Sequence, residues 1–371
     1  MIAQLIPDVR RYVPALDGLR ALAVGLVLLS HVGLADTVPG GFGVTVFFWI
    51  SGFLITSQLL AELQRDGRIA LGKFFLRRAL RLLPASTVYT VVIGACFMLA
   101  GGELPLLAWF AALTSLAGYY DMYIGFATWP GGALNPFGHL WSLAVEDHYY
   151  FLWPLALPLL WRRGLAAQAL LACCIGLLAW RLMLFQFCFP DGQPAPAGGL
   201  CGVHGTYRLY KATDTRLDSI AWGALIAVLA ASHWREKLAR LLANRRLQAA
   251  AVALLVLGFA IRTPEFRETW RYTLQGMALS VLLPVICTQQ TALRWLLERP
   301  PMLLVGRLSY SLYLWHWGAV TSADWLFPLF SPSWIALTLG GTLGGAMASY
   351  YGIEQPMLAL RRRVGSHVAL P

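Results

Sequence analysis

Runs of about twenty apolar residues, separated by short polar or basic stretches, recur along almost the whole chain. Each run is near the length an α-helix needs to cross a ~30 Å hydrocarbon core at ~1.5 Å per residue. The pattern predicts an all-α, polytopic transmembrane bundle of about ten spans. They are placed at 16–35, 42–62, 82–100, 140–160, 165–187, 217–232, 247–262, 272–288, 302–323 and 334–353. A further apolar stretch, 104–126, is ambiguous, and loop charge arbitrates, because Lys and Arg collect on the cytoplasmic side of a membrane. With ten spans and both termini cytoplasmic, 22 of the 29 Lys and Arg residues fall inside and six outside. Counting 104–126 as a crossing inverts every later loop and moves 13 of those 22 outside. It is therefore expected to be re-entrant or to lie along the outer surface.

Composition agrees with this reading. The chain has 371 residues, 58% hydrophobic and 13% charged, against about 25% charged in a soluble domain. No cleavable signal is expected at the N-terminus, which is mixed and polar from Met1 to Pro14. The expectation is one membrane domain over 1–371 without a soluble appendage. The net charge of +11 is accounted for by cytoplasmic loops, so no nucleic-acid partner is implied. Six Cys residues show no metal-ligand spacing, and no metal site is expected. Cys188 and Cys201 bracket a polar loop. They pair if it faces an oxidising compartment and are otherwise two inert thiols.

Against this apolar background the ionisable residues stand out, because a charge near a bilayer centre costs at least a few kcal/mol. In RYVPALDGLRALAVGLVLLSHVG, residues 11–33, His31 lies eleven residues beyond Arg20, ~16 Å along a helix and about the midplane. A neutral imidazole there can take a proton near pH 7; the alternative is a packing histidine. HVGLAD, residues 31–36, matches an H-x4-D acyltransferase pattern. Residues five apart do not share a helical face, however, and that reading is rejected.

In KFFLRRALRLLP, residues 73–84, Arg78 and Arg81 share a face with Lys73 and Arg77 close by. This is either a lipid-headgroup anchor or a phosphate clamp. In GHLWSLAVEDHYYFLWP, residues 138–154, Glu146 needs a partner from another helix, while Trp141, Tyr149 and Tyr150 also suit an interfacial belt. TDTRLDSIAWGAL, residues 213–225, offers Arg216 and Asp218 as a structural ion pair at the outer interface. In GRLSYSLYLWHW, residues 306–317, Ser309, Tyr313 and His316 make one polar stripe that must face protein or water.

Taken together these segments resemble the acyltransferase-3 family, the integral-membrane O-acyltransferases that include glycan O-acetylases and macrolide O-acyltransferases. The matching pieces are R-Y-x-x-x-LDGLRALAV with His31, GGFGVTVFFWISGFLIT at 40–56, Arg78-x-x-Arg81 before LLPA, WSLAVED at 141–147, RLDSIAWGAL at 216–225, SYSLYLWHW at 309–317 and IEQP at 353–356. Two departures are Asp147, where the family usually has a second Glu, and Gly318, where Pro often follows. The resemblance implies a multi-pass protein of the bacterial cytoplasmic (inner) membrane.

It also implies transfer of an acyl group, by default acetyl, from acyl-CoA to a hydroxyl of a carbohydrate or polyketide-type acceptor. Acyl-CoA is a donor here rather than a resident cofactor, and none is expected. His31 would be the general base, with Glu146, Arg11 and Asp17 orienting groups or balancing charge. Arg78, Arg81, Arg77 and Lys73 would hold the donor; Arg20, Trp141, Tyr313, His316 and Ser309 would contact substrate. The competing class is a proton-coupled transporter or flippase using the same buried charges. It would carry duplicated halves or paired broken helices, and the sequence shows neither.

Overall fold

The computed structural model describes residues 6–7, 11–125, 135–194, 198–203 and 205–363, and these form helices and connections without a strand. The helices of eight residues or more are α1 (Pro14–Leu29), α2 (Gly40–Asp66), α3 (Leu71–Leu99), α4 (Leu106–Leu113), α5 (Trp141–Arg162), α6 (Ala166–Cys188) and α7 (Thr213–Ala231). They continue as α8 (Arg235–Ala243), α9 (Arg245–Ala260), α10 (Trp270–Thr288), α11 (Pro300–Leu326), α12 (Pro332–Ser349) and α13 (Gln355–Arg363). Every apolar run picked out as a span falls on one of these.

Among the described residues, four helical segments are long and apolar enough to cross a membrane: Pro14–Leu34, Gly40–Asp66, Leu71–Leu99 and Ala166–Cys188. A fifth is the pair Gly205–Ala231 and Arg235–Ala243, bent by 117°. The other predicted spans are helices that are shorter or carry polar side chains, as helices enclosed by other helices can. In the stretch 104–126, α4 is only eight residues long and a break at Thr114 follows; residue 126 lies outside the described residues.

Local chemistry sets the helix ends. Proline opens α1, α11 and α12, where its missing N–H costs nothing. Gly67, at φ +69°, closes α2 as a left-handed cap. Among the described residues three turns are π-helical, Ser30–Leu34, Asp121–Gly125 and Tyr350–Glu354. Extra residues in such turns re-aim side chains, and these turns carry His31, Asp121 and Glu354.

Packing runs α12, α11, α1, α2, α7, with α6 and α10 beyond α7, while α3 and α5 cover one face of this row. The tightest seam is α2 against α7. A Cβ on Gly52 would strike the Ile220 carbonyl, and one on Gly223 the Trp49 carbonyl. Two glycines thus let these backbones touch, the usual device where lipid gives helices no hydrophobic reason to associate. The seam is pinned by a polar knot at α6. Arg181, fully buried, donates to Asp218 at 2.7 Å, Thr273 at 2.5 Å and the Thr215 carbonyl at 2.6 Å.

That knot corrects one expectation. Arg216 and Asp218 do not pair, because residues two apart on a helix point to different sides. Asp218 belongs to Arg181, and Arg216 sits in an aromatic cage, 3.9 Å from the Tyr272 ring centre and 5.2 Å from that of Tyr210. Cys188 and Cys201 are joined in a disulfide.

Candidate active site

Between α1, α2, α3, α5 and α11 lie three cavities, each neighbouring pair sharing lining residues. One, of about 530 Å³, is lined by Arg11, Arg20, Arg81, Arg307, Arg361 and Arg362 against only two carboxylates, Asp17 and Glu354. It is called the arginine chamber below. A narrow neck of about 100 Å³ shares Arg20, Gln58, Arg81, Ser309 and Tyr310 with it and adds Arg78, Ser51, Glu146 and Tyr150. The neck shares Val44 and Tyr313 with a third cavity, the histidine chamber, of about 510 Å³.

The histidine chamber holds His31, His139 and His316 in its wall, with Trp317, Asp121 and Lys211. His31 is presented by the π-helical turn that ends α1. Its Nδ1 faces the Val27 carbonyl at 2.9 Å, so Nδ1 carries the proton and Nε2 keeps the lone pair. His316 is set in the same way, Nδ1 to the Tyr313 carbonyl at 2.5 Å. The rings of His31 and His316 are 5.1 Å apart, and those of His139 and His316 5.6 Å. His31 also meets Trp317 edge-on at 5.0 Å, while Lys211 is ion-paired to Asp121.

In the neck, Glu146 accepts hydrogen bonds from Ser51 (2.8 Å) and Tyr150 (2.9 Å). Arg78 leans over the Tyr150 ring at 5.1 Å and reaches Gln58 at 3.4 Å. At the arginine chamber, Asp17 accepts from Tyr12 and Arg20, each at 2.8 Å. Arg361, on α13, is buried, and its Nε and Nη1 have no hydrogen-bond partner among the described residues. Burial, then the guanidiniums of Arg81, Arg78 and Arg77, push its pKa down to about 9. The chamber is a cationic cavity short of counter-charge.

The sequence-predicted residues therefore divide along one path. His31, His316, Trp141 and Tyr313 line the histidine chamber, Tyr313 also the neck. Glu146, Arg78, Arg81, Arg20 and Ser309 line the neck, the last three also the arginine chamber, and Arg11 and Asp17 line that chamber alone. Ser309, Tyr313 and His316 run along α11 from one end of the path to the other.

His31 lies in the last turn of the α1 segment. Two placements differ from expectation. Arg11 and Asp17 are not grouped with His31, since fourteen residues of helix, ~21 Å, separate Asp17 from it. Lys73 and Arg77 line none of these cavities; Lys73 is exposed and Arg77 lies 3.5 Å from Glu62. Sequence reasoning missed His139, Asp121, Lys211, Arg361 and Glu354. For His139 the signal was present, a lone imidazole just before the apolar start of α5.

Comparison with known proteins points the same way. The acyltransferase-3 family model, described as an acyltransferase domain, matches residues 13–351. O-acetyltransferase OatA of Staphylococcus aureus (strain NCTC 8325 / PS 47) is 29% identical over 320 residues, 83% of this chain and 50% of that protein. A putative O-acetyltransferase of Staphylococcus aureus (strain COL) is 29% identical over 322 residues, 84% of this chain and 51% of its own. The chain thus spans about half the length of the curated relatives it matches. No solved structure matches the chain.

Proposed function

Because the chain belongs to the acyltransferase-3 family, an enzyme family with membrane helices, we propose that it is an integral-membrane O-acyltransferase. It moves an acyl group, acetyl by preference, from cytoplasmic acyl-CoA to a hydroxyl of a carbohydrate or another small acceptor. The observation that carries this reading is the path itself: an arginine-rich chamber joined through a narrow neck to a chamber with a free imidazole lone pair.

Each part suits one part of the reaction. The nucleotide end of acyl-CoA carries several negative charges, and six arginines against two carboxylates form a site for them. The pantetheine arm is slender, and the neck is slender too. The acceptor takes the histidine chamber, whose largely apolar wall carries His31, Asp121, Tyr210 and Lys211. There the acceptor O–H gives its proton to His31 Nε2 while its oxygen bonds to the thioester carbon. Collapse of the tetrahedral intermediate breaks the C–S bond, and the proton leaves with the CoA thiol.

In this reading the bundle has about ten spans and lies in the bacterial inner membrane. Both termini and the arginine chamber face the cytoplasm, where CoA is. The Cys188–Cys201 disulfide supports placing the opposite loops in an oxidising compartment. Incubating the detergent-solubilised protein with radiolabelled acetyl-CoA tests the proposal. Release of free CoA with label appearing on an added glycan is expected; turnover no greater than background would refute it.

A further inference from the structure

An acyl transfer also needs a hydrogen-bond donor for the carbonyl oxygen as it becomes an oxyanion, usually the largest single electrostatic contribution to such catalysis. Several N–H and O–H groups in the wall of the histidine chamber are committed to protein partners. Trp317 donates Nε1–H to the Asn135 carbonyl at 2.7 Å. Tyr313 shares its hydroxyl with Ser142 at 2.5 Å and lies 3.2 Å from the His139 carbonyl. His31 and His316 spend their Nδ1 protons on backbone carbonyls, leaving each an Nε2 that accepts and does not donate.

His139 is different. Its side chain is buried, 5% exposed, yet neither ring nitrogen has a hydrogen-bond partner among the described residues. The Leu314 carbonyl lies close to the ring but outside hydrogen-bond geometry. A neutral imidazole always carries one N–H, so a buried donor is left idle. Such donors cost folding free energy and persist where something absent from the resting protein uses them. The ring is clamped by Tyr89 at 5.2 Å and Tyr313 at 5.6 Å, at the exit of the neck. Its ring and that of His31 both neighbour the His316 ring.

We propose that His139, as a neutral imidazole, is the oxyanion donor: its N–H binds the carbonyl oxygen of the acyl group as His31 draws the proton from the attacking hydroxyl. The acceptor oxygen–carbon bond forms, the carbonyl π pair moves onto the oxygen held by His139, and that pair returns as the C–S bond breaks to CoA thiolate. The thiolate then takes the proton held on His31. His139 gains and loses no proton; its role is electrophilic, complementary to a base on the other side of the reacting carbon.

This rests on the acyl-transfer reading above, and the test separates the two. Parent, His139→Ala and His139→Gln proteins are assayed for CoA release from acetyl-CoA with a panel of methyl glycosides as acceptors, after gel filtration to measure the folded fraction. His139→Ala is expected to lower kcat ~10²-fold or more with the KM for acetyl-CoA unchanged, the pattern of an interaction made only in the transition state. His139→Gln keeps an N–H but cannot act as a base, and recovers at least about tenfold of that loss. Folded His139→Ala within ~3-fold of the parent kcat, or a folded Gln variant no better than Ala, overturns the assignment while leaving acyl transfer standing. A parent that releases no CoA overturns both.

Discussion

Replacing Arg361 by Gln should make the protein more stable and its donor site worse. The guanidinium is buried, lacks partners at Nε and Nη1 among the described residues, and feels three other arginines. A buried polar group left unpaired costs ~1–3 kcal/mol, and like-charge repulsion adds to that. A neutral amide of similar shape returns a fraction of this, an expected rise in Tm of roughly 1–2 °C per kcal/mol recovered. In the proposed donor complex the same group would face phosphate. A hydrogen bond to a charged group contributes ~1.5–3 kcal/mol, so KM for acetyl-CoA should rise about 10- to 150-fold. The value of kcat should hold, because α13 lies at the far end of the path from His31. The control is acetyl-pantetheine, which lacks the nucleotide: its KM should not respond to Arg361→Gln. Thermal unfolding in detergent and steady-state CoA or thiol release measure both arms. A variant that is less stable, or one that impairs acetyl-pantetheine as much as acetyl-CoA, would refute the assignment of this chamber to the phosphates.

Four other outcomes follow from named contacts. His31→Ala should lose ~10² or more in kcat with the donor KM intact, by the same assay, if its Nε2 is the base. Gly33 has φ +94° and faces Phe330, so Gly33→Ala should cost ~1–2 kcal/mol of backbone strain and displace His31; a Tm and kcat equal to the parent's would argue against it. Arg181→Ala abandons a fully buried Asp218 and should destabilise by ~3–5 kcal/mol, read as loss of monodisperse protein, whereas the double change Arg181→Met with Asp218→Leu should recover much of it. Cys188→Ser opens a link spanning 13 residues and should cost ~2–3 kcal/mol; labelling of the freed Cys201 by a membrane-impermeant thiol reagent on intact cells should succeed only if that loop faces outward.

Much of this architecture can be read from the chain because helix periodicity is local. Each apolar run lies on a helix, and the stripe Ser309, Tyr313, His316 lines the path as its i, i+4, i+7 spacing suggests. What spacing cannot give is how deep a side chain sits relative to residues on other helices. Arg11 and Asp17 look like companions of His31 in a line of text, yet the helix between them holds them a chamber apart. Arg77 and Arg78 are neighbours in sequence, but only Arg78 turns into the neck while Arg77 lies toward Glu62. His139 acquires its meaning from Trp317, Tyr313 and His316, whose own protons are already committed, and no one-dimensional pattern encodes that tally. Glu354 and Asp121 were hidden for another reason: each is aimed by a π-helical turn, a local irregularity that shifts facing without changing composition.

A conduit narrow in the middle and wide at both ends has a second duty in an energised membrane. In the proposed orientation it would lie between the cytoplasm and the outside, across a voltage that drives each elementary charge with ~2.3 kcal/mol per 100 mV. An open throat would short-circuit the cell. Arg20, Arg78 and Arg81 around a gap of about 100 Å³ would repel hydronium and sodium while attracting a phosphorylated carrier, whose own arm would then cork the gap. Insulation and donor recognition would thus be performed by the same guanidiniums.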